Sequence, residues 1–130
     1  MKATLTFDLD DVEDIDTFNA FALRVATEYS NVWIRKSSSG NGFHLKIAGE
    51  TEYDELTGRM VMADRLFEAE KVLTLREDES EECRGRLTGD KGRFKVGLQV
   101  GRLFGVKTGQ KAGEWIPIEA YFKDEKVLEG

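Results

Sequence analysis

Residues 3–10 alternate along the chain, with Ala3, Leu5, Phe7 and Leu9 apolar and Thr4, Thr6, Asp8 and Asp10 polar. A period of two places the apolar set on one face of a strand and the polar set on the other. Asp14 or Asp16 can cap a helix that follows. In it Ile15, Phe18, Ala22, Val25 and Tyr29 recur at helical spacing and form one core-facing stripe. Residues 31–37 read as a second strand. Ser38-Ser39-Gly40-Asn41-Gly42 reads as a turn whose glycines tolerate positive φ. Residues 43–47 return as a third strand, with Phe43, Leu45 and Ile47 on one face and His44 and Lys46 on the other. Thr51 can cap a second helix, over which Tyr53, Leu56, Met60, Ala63 and Phe67 repeat the stripe. Residues 72–75 read as a short strand. Further β-leaning segments follow near 93–100, 101–106 and 114–122, separated by glycines.

The predicted order is β-α-β-β-α-β with extra strands toward the C-terminus. That is an α+β fold of RRM-like type, an antiparallel sheet backed by two helices. On this reading Asp8, Asp10, His44 and Lys46 share the open front of the sheet, and Trp33 joins them if Val32 and Ile34 face the core. No repeat, low-complexity tract or Pro/Ser linker divides the 130 residues, so 1–130 is expected to be a single domain.

Composition narrows the chemistry. Cys83 is the lone cysteine and His44 the lone histidine, which excludes a disulfide framework and a cysteine-histidine zinc site. The start of the chain is too short and polar for a signal peptide, and no apolar run is long enough for a membrane span. A cytoplasmic protein without membrane association is the expectation. The net charge of -6 argues against coating nucleic acid by bulk electrostatics. Within 84–111, however, basic residues dominate, either as a solvated strand face or as a surface for phosphates.

Two local patterns carry chemistry. In Phe7-Asp8-Leu9-Asp10 the carboxylates at i and i+2 of a strand point the same way, close enough to share Mg²⁺ or Mn²⁺. Asp-x-Asp at a strand end also describes a turn or a helix cap. In Ser39-Gly40-Asn41-Gly42-Phe43-His44 a glycine hairpin can bring backbone N–H groups and an imidazole to a phosphate, and it equally describes a plain hairpin.

Together, and in this order, the two patterns resemble the catalytic core of the archaeo-eukaryotic primase superfamily. Its first motif is hydrophobic-Asp-hydrophobic-Asp and its second Ser-x-His, often in the form Ser-Gly-x-Gly-x-His, with a helix and a strand between them. The resemblance covers residues 1–48 and implies an RRM-like catalytic half. It also implies metal ligands at Asp8 and Asp10, with nucleotide phosphates held by Ser39, Gly40, Gly42, His44 and Lys46. The superfamily's third motif supplies another acid. Asp90 is the first candidate for a catalytic and metal-ligating role, with Asp78 and Glu119 as rivals. Arg102 and Lys107, in Arg102-Leu103-Phe104-Gly105-Val106-Lys107-Thr108-Gly109, resemble the family's nucleotide- and template-lining cations. The family's zinc cysteines are absent and the chain is shorter than full primases, as in a minimal or degenerate member from a plasmid or an archaeal virus.

The function implied is metal-dependent nucleotidyl transfer in DNA replication of such an element. Mg²⁺ or Mn²⁺ would be the cofactor, a nucleoside triphosphate the substrate, and single-stranded DNA or RNA and replication proteins the partners. A catalytically degenerate fold that binds single-stranded nucleic acid through Trp33, Arg35 and the basic segment is the alternative. A metal-dependent nuclease using Asp8, Asp10 and Lys46 is a second.

Overall fold

The computed structural model describes residues 1–10, 12–38, 40–50, 52–79, 82–101, 103, 106–107 and 110–129. The first strand, β1 (Lys2–Leu9), buries Ala3, Leu5, Phe7 and Leu9, none more than 3% exposed. The alternation in the sequence therefore selects the core face directly. Helix α1 (Ile15–Glu28) begins at Asp14, whose Oδ1 accepts from the N–H of Asp16 (3.0 Å) and of Thr17 (3.4 Å). These contacts satisfy two otherwise orphaned donors of the first turn. The buried stripe is Phe18, Phe21, Ala22 and Val25. Phe18 stacks on Phe43 at 4.2 Å between centroids, and Phe21 meets Phe7 edge-on at 5.4 Å. Strands β2 (Val32–Lys36) and β3 (Phe43–Ile47) complete the hairpin expected from the sequence.

Beyond β3 the chain departs from the expected pattern. Residues 52–68 form three short strands, β4 (Glu52–Asp54), β5 (Arg59–Val61) and β6 (Leu66–Glu68), instead of a helix. The reason is local. Asp54 Oδ1 accepts from the N–H of Leu56 (3.0 Å), its Oδ2 from the Thr57 hydroxyl (3.0 Å), and its carbonyl from the N–H of Gly58 (2.8 Å). Gly58, at φ 68°, closes this turn. Leu56 stands at its tip, 96% exposed, so the apolar spacing that suggests a helix buries nothing there. Thr51, expected as the cap, lies outside the described residues.

The strand expected at 72–75 lies inside helix α2 (Ala69–Glu77), and the one near 93–100 overlaps the end of helix α3 (Arg84–Lys95). α3 carries Gly85, Gly89 and Gly92, each costing about 1 kcal/mol in a helix interior, so no helical pattern stands out. The region near 101–106 is only partly described; residues 106–107 form β7 (Val106–Lys107), which pairs with β8 (Gln110–Lys111). Residues 114–122 yield the two-residue β9 (Ile116–Pro117) and the start of helix α4 (Ile118–Glu129).

The result is α+β. A five-stranded sheet runs in the order β6-β1-β3-β2-β9, every neighbouring pair antiparallel. The βαββαβ order is not what forms, because three strands separate β3 from α2 and β9 extends the sheet past β2. Residues of α1, α2 and α4 join the sheet in one core, including Phe18, Val72 and Ile118. The opposite face is not open either. Thr6 (2%), Trp33 (8%), Ser37 (7%) and His44 (4%) are all buried there. α3 and the segment at Gly101 cover one part: Arg86 donates to the Thr6 hydroxyl, which donates to the Gly101 carbonyl at 2.8 Å.

A candidate metal and phosphate site at the end of β1

The site is a row of side chains across three strands. In the register of the sheet, Asp8 on β1 lies opposite His44 on β3, and His44 lies opposite Arg35 on β2. On its other side Asp8 has no strand partner, since β6 pairs only with residues 2–4 of β1. Residues 82 and 83 take that edge. The Asp8 N–H donates to Glu82 Oε2 at 3.0 Å, and the Cys83 N–H donates to the Asp8 carbonyl at 2.7 Å. With its main-chain groups turned that way, Asp8 meets His44 in the narrow, non-hydrogen-bonded pairing that brings side chains closer.

Arg35 Nε donates to His44 Nδ1 at 2.9 Å, and His44 Nε2 lies 3.5 Å from Asp8 Oδ1. That distance is at the outer limit of a hydrogen bond, and Asp8 Oδ1 is buried with no hydrogen-bond partner. The guanidinium of Arg35 sits 4.4 Å from the centre of the Trp115 ring, and the same indole approaches His44 at 6.5 Å between centroids. Asp10 and Cys83 complete the acidic end, their ligand atoms and one of Asp8 all lying within 4.8 Å of one another.

Charge balance at the row is set by burial. The Asp8 carboxyl is pushed up to about 6, first by loss of water and then by the charge of Asp10, with Arg86 pulling the other way. His44 is pushed down to about 4 by burial and by the nearby Arg35 and Arg86, so its imidazole is neutral at pH 7. The Cys83 thiol is raised by burial and by Asp10, which keeps it protonated at pH 7. Two carboxylates and one thiol, with an oxygen left unpartnered, fit a divalent cation. The carboxylates suit Mg²⁺ or Mn²⁺, and the Cys83 sulfur becomes a softer third donor only when a bound metal displaces its proton.

The structure brings Asp8, Asp10 and His44 together but separates other expected members. Asp90 is buried among cations: Oδ2 takes Arg76 Nη1 (2.6 Å) and the Gly101 N–H (3.1 Å), and Oδ1 takes Arg93 Nη1 (3.3 Å). Asp78 caps the end of α2 and Glu119 stands exposed in the first turn of α4. None of the three joins Asp8 and Asp10, where the third donor is Cys83. Lys46 shares the front face, but its Nζ is held by Asp64 at 2.8 Å. Ser39 and Arg102 lie outside the described residues, and Lys107 is described only as backbone of β7.

The glycine hairpin closes on itself through the amides of Gly40 and Gly42. The Gly40 N–H donates to the Ser37 carbonyl (3.0 Å) and the Gly42 N–H to the Ser37 hydroxyl (3.2 Å), so both amides are spent within the turn. A Cβ at Gly42 would stand 2.1 Å from the Leu9 carbonyl oxygen, so only glycine lets the hairpin close against the end of β1.

Sequence reasoning missed Cys83, Glu82, Arg86 and Trp115, which come from segments distant in the chain. Arg35 was legible: the strand parity that puts Trp33 on the front puts Arg35 there too.

The chain matches no family model, no curated protein and no solved structure. No helix among the described residues is long and apolar enough to cross a membrane.

Proposed function

We propose that the chain is a metal-dependent nucleotidyltransferase of primase-like type, serving DNA replication of a mobile element or virus within the host cytoplasm. The observation that carries the reading is the convergence of Asp8, Asp10 and Cys83 within 4.8 Å, beside a neutral His44 and the Arg35 guanidinium. Acids next to donors and a fixed cation are what a metal–phosphate unit requires on its two sides. Asp8 and Asp10 would hold Mg²⁺ or Mn²⁺, which supplies Lewis-acid activation of a nucleotide 3′-hydroxyl and neutralises the pyrophosphate leaving group. His44 and Arg35 face the triphosphate, His44 as a hydrogen-bond donor and Arg35 as a fixed positive charge. Single-stranded DNA or RNA is the template.

The test is incorporation of nucleotides on a single-stranded template with Mn²⁺. Wild type is expected to extend, and the double substitution Asp8→Asn with Asp10→Asn to abolish extension and Mn²⁺ binding while remaining folded.

A second reading, a nucleic-acid binder without polymerase activity, is favoured by one observation. Both oxygens of Asp90 are committed to Arg76, Arg93 and Gly101, leaving two carboxylates at the site. Trp33 is buried, so single strands would engage exposed cations such as Arg84, Arg93 and Lys95 of α3. Template retention in a low-salt gel shift without incorporation selects this reading.

A further inference from the structure

Arginine is always protonated in proteins and every one of its nitrogens is a donor. Arg35 Nε–H therefore donates to His44 Nδ1, and the 2.9 Å contact requires Nδ1 to be an acceptor. A proton on Nδ1 would set two donors against each other. In a neutral imidazole the single proton then belongs on Nε2, the nitrogen that points to Asp8 Oδ1 at 3.5 Å. Both ends of this arrangement are fixed. Arg35 stands opposite His44 in the strand register, its guanidinium lies 4.4 Å from the Trp115 ring centre, and His44 is 4% exposed.

We propose that Arg35 is a positioning residue that locks His44 as the Nε2–H tautomer, so that the site presents a hydrogen-bond donor to a phosphate oxygen beside Asp8. This deepens the nucleotidyl-transfer reading and rests on it for the identity of the ligand. It excludes His44 Nε2 as a metal ligand and as a proton acceptor, because a ring nitrogen bearing hydrogen has no free lone pair. It also explains why the imidazole sits next to the acids without completing their donor set. Its task is on the anion side of the unit, and Cys83 is the group clustered with Asp8 and Asp10 on the other side.

The lone histidine makes the assignment measurable without ambiguity. Long-range proton–nitrogen correlation spectra of the full chain, metal-free and at neutral pH, report which ring nitrogen carries hydrogen. Wild type is expected to show Nδ1 as the acceptor and Nε2 as N–H. Arg35→Met places a methyl near the position of Nε and removes the donor; a share of the Nδ1–H tautomer is expected to emerge. Arg35→Lys retains an obligate donor and is expected to restore the wild-type spectrum. Binding of a non-hydrolysable nucleoside triphosphate with Mn²⁺ is read by calorimetry on the same proteins. Affinity is expected to fall about tenfold in Arg35→Met, the scale of one hydrogen bond to a charged group, and to recover with lysine. An unchanged tautomer in Arg35→Met overturns the proposal, whether or not affinity falls, since any loss would then be one of charge. A wild-type protein with the Arg35-dependent tautomer and no affinity for the nucleotide removes the nucleotidyl-transfer reading and the phosphate assignment with it. The positioning of His44 by Arg35 stands in that case.

Discussion

Replacing Asp8 by asparagine in the metal-free protein takes a carboxylate out of a place that disfavours its charge. The side chain is 18% exposed, one of its oxygens is orphaned, and Asp10 stands beside it. The carboxyl titrates near 6 in the folded protein against 3.8 in an unfolded chain. The sign follows from linkage. A raised pKa means that the folded state holds its proton where the unfolded state has lost it. The associated stability is whole below pH 3.8 and disappears as pH rises through about 6. About two units at ~1.36 kcal/mol each give an upper bound of about 3 kcal/mol. Water at the exposed edge screens part of this, leaving about 1–2 kcal/mol.

Asn is isosteric with Asp, so no cavity or clash offsets the gain. The assay is urea unfolding with EDTA present, at half-unit steps from pH 4 to 8. Asp8→Asn is expected to match wild type near pH 4. Above pH 6.5 it should exceed wild type by about 0.5–1 M in midpoint, taking a slope of about 2 kcal/mol per molar urea. Saturating Mn²⁺ is expected to raise wild type and leave the variant unmoved, because only a ligand bound to the folded state stabilises it. A variant less stable than wild type at pH 8, or a difference that does not change with pH, refutes the reasoning.

Other substitutions probe the supports of the site. Glu82→Gln leaves Arg76, which is fully buried, and Arg86 without a shared carboxylate; a loss of about 3–5 kcal/mol is expected in chemical denaturation. Gly42→Ala drives a Cβ into the Leu9 carbonyl at 2.1 Å, and the hairpin must lift from the end of β1. The cost is about 1–3 kcal/mol, and Mn²⁺ affinity is expected to fall with it, both read by calorimetry.

The legible part of the fold is the part governed by local pattern. Strict alternation in β1 and β3 predicts which residues face the core, and with them the shared side of Asp8 and His44, but not the burial of Thr6 and His44 on that other side. Of the two caps the sequence allows for α1, Asp14 and Asp16, Asp14 is the one that starts it. What was not legible is one local turn whose spacing imitates a helix, and the features that depend on partners far along the chain. The spacing of Tyr53, Leu56, Met60 and Ala63 mimics a helix, yet Asp54 captures the following amide and hydroxyl and turns the chain. α3 has few apolar residues and three glycines; its inward face is instead Leu87 and Asp90, the latter neutralised by Arg76 from α2. A buried acid in a basic, glycine-broken segment has no sequence signature, so Asp90 reads as a free carboxylate until its partners are seen. The covering of the front face is equally non-local: Arg86 and Gly101 reach Thr6 across 80 and 95 residues of sequence.

The charges beneath the site explain why its acids remain uncompensated. Arg76 lies between Glu82 and Asp90, and Arg86 shares Glu82. Two buried cations are thus answered by two buried anions, and their charge is used within the network. Arg86 does lower the Asp8 pKa, but it is committed to Glu82 and to Thr6. Burial and the charge of Asp10 outweigh it, and the balance at Asp8 stays upward. The same network fixes geometry, because Glu82 also accepts the Asp8 N–H and the next residue, Cys83, donates back to the Asp8 carbonyl. Asp8 is therefore held rigidly by groups that do not neutralise its side chain. A rigid, underneutralised carboxylate pair destabilises the empty fold and favours a divalent cation by a related margin. Breaking the network at Glu82 is accordingly expected to loosen the metal donors as well as to destabilise the chain.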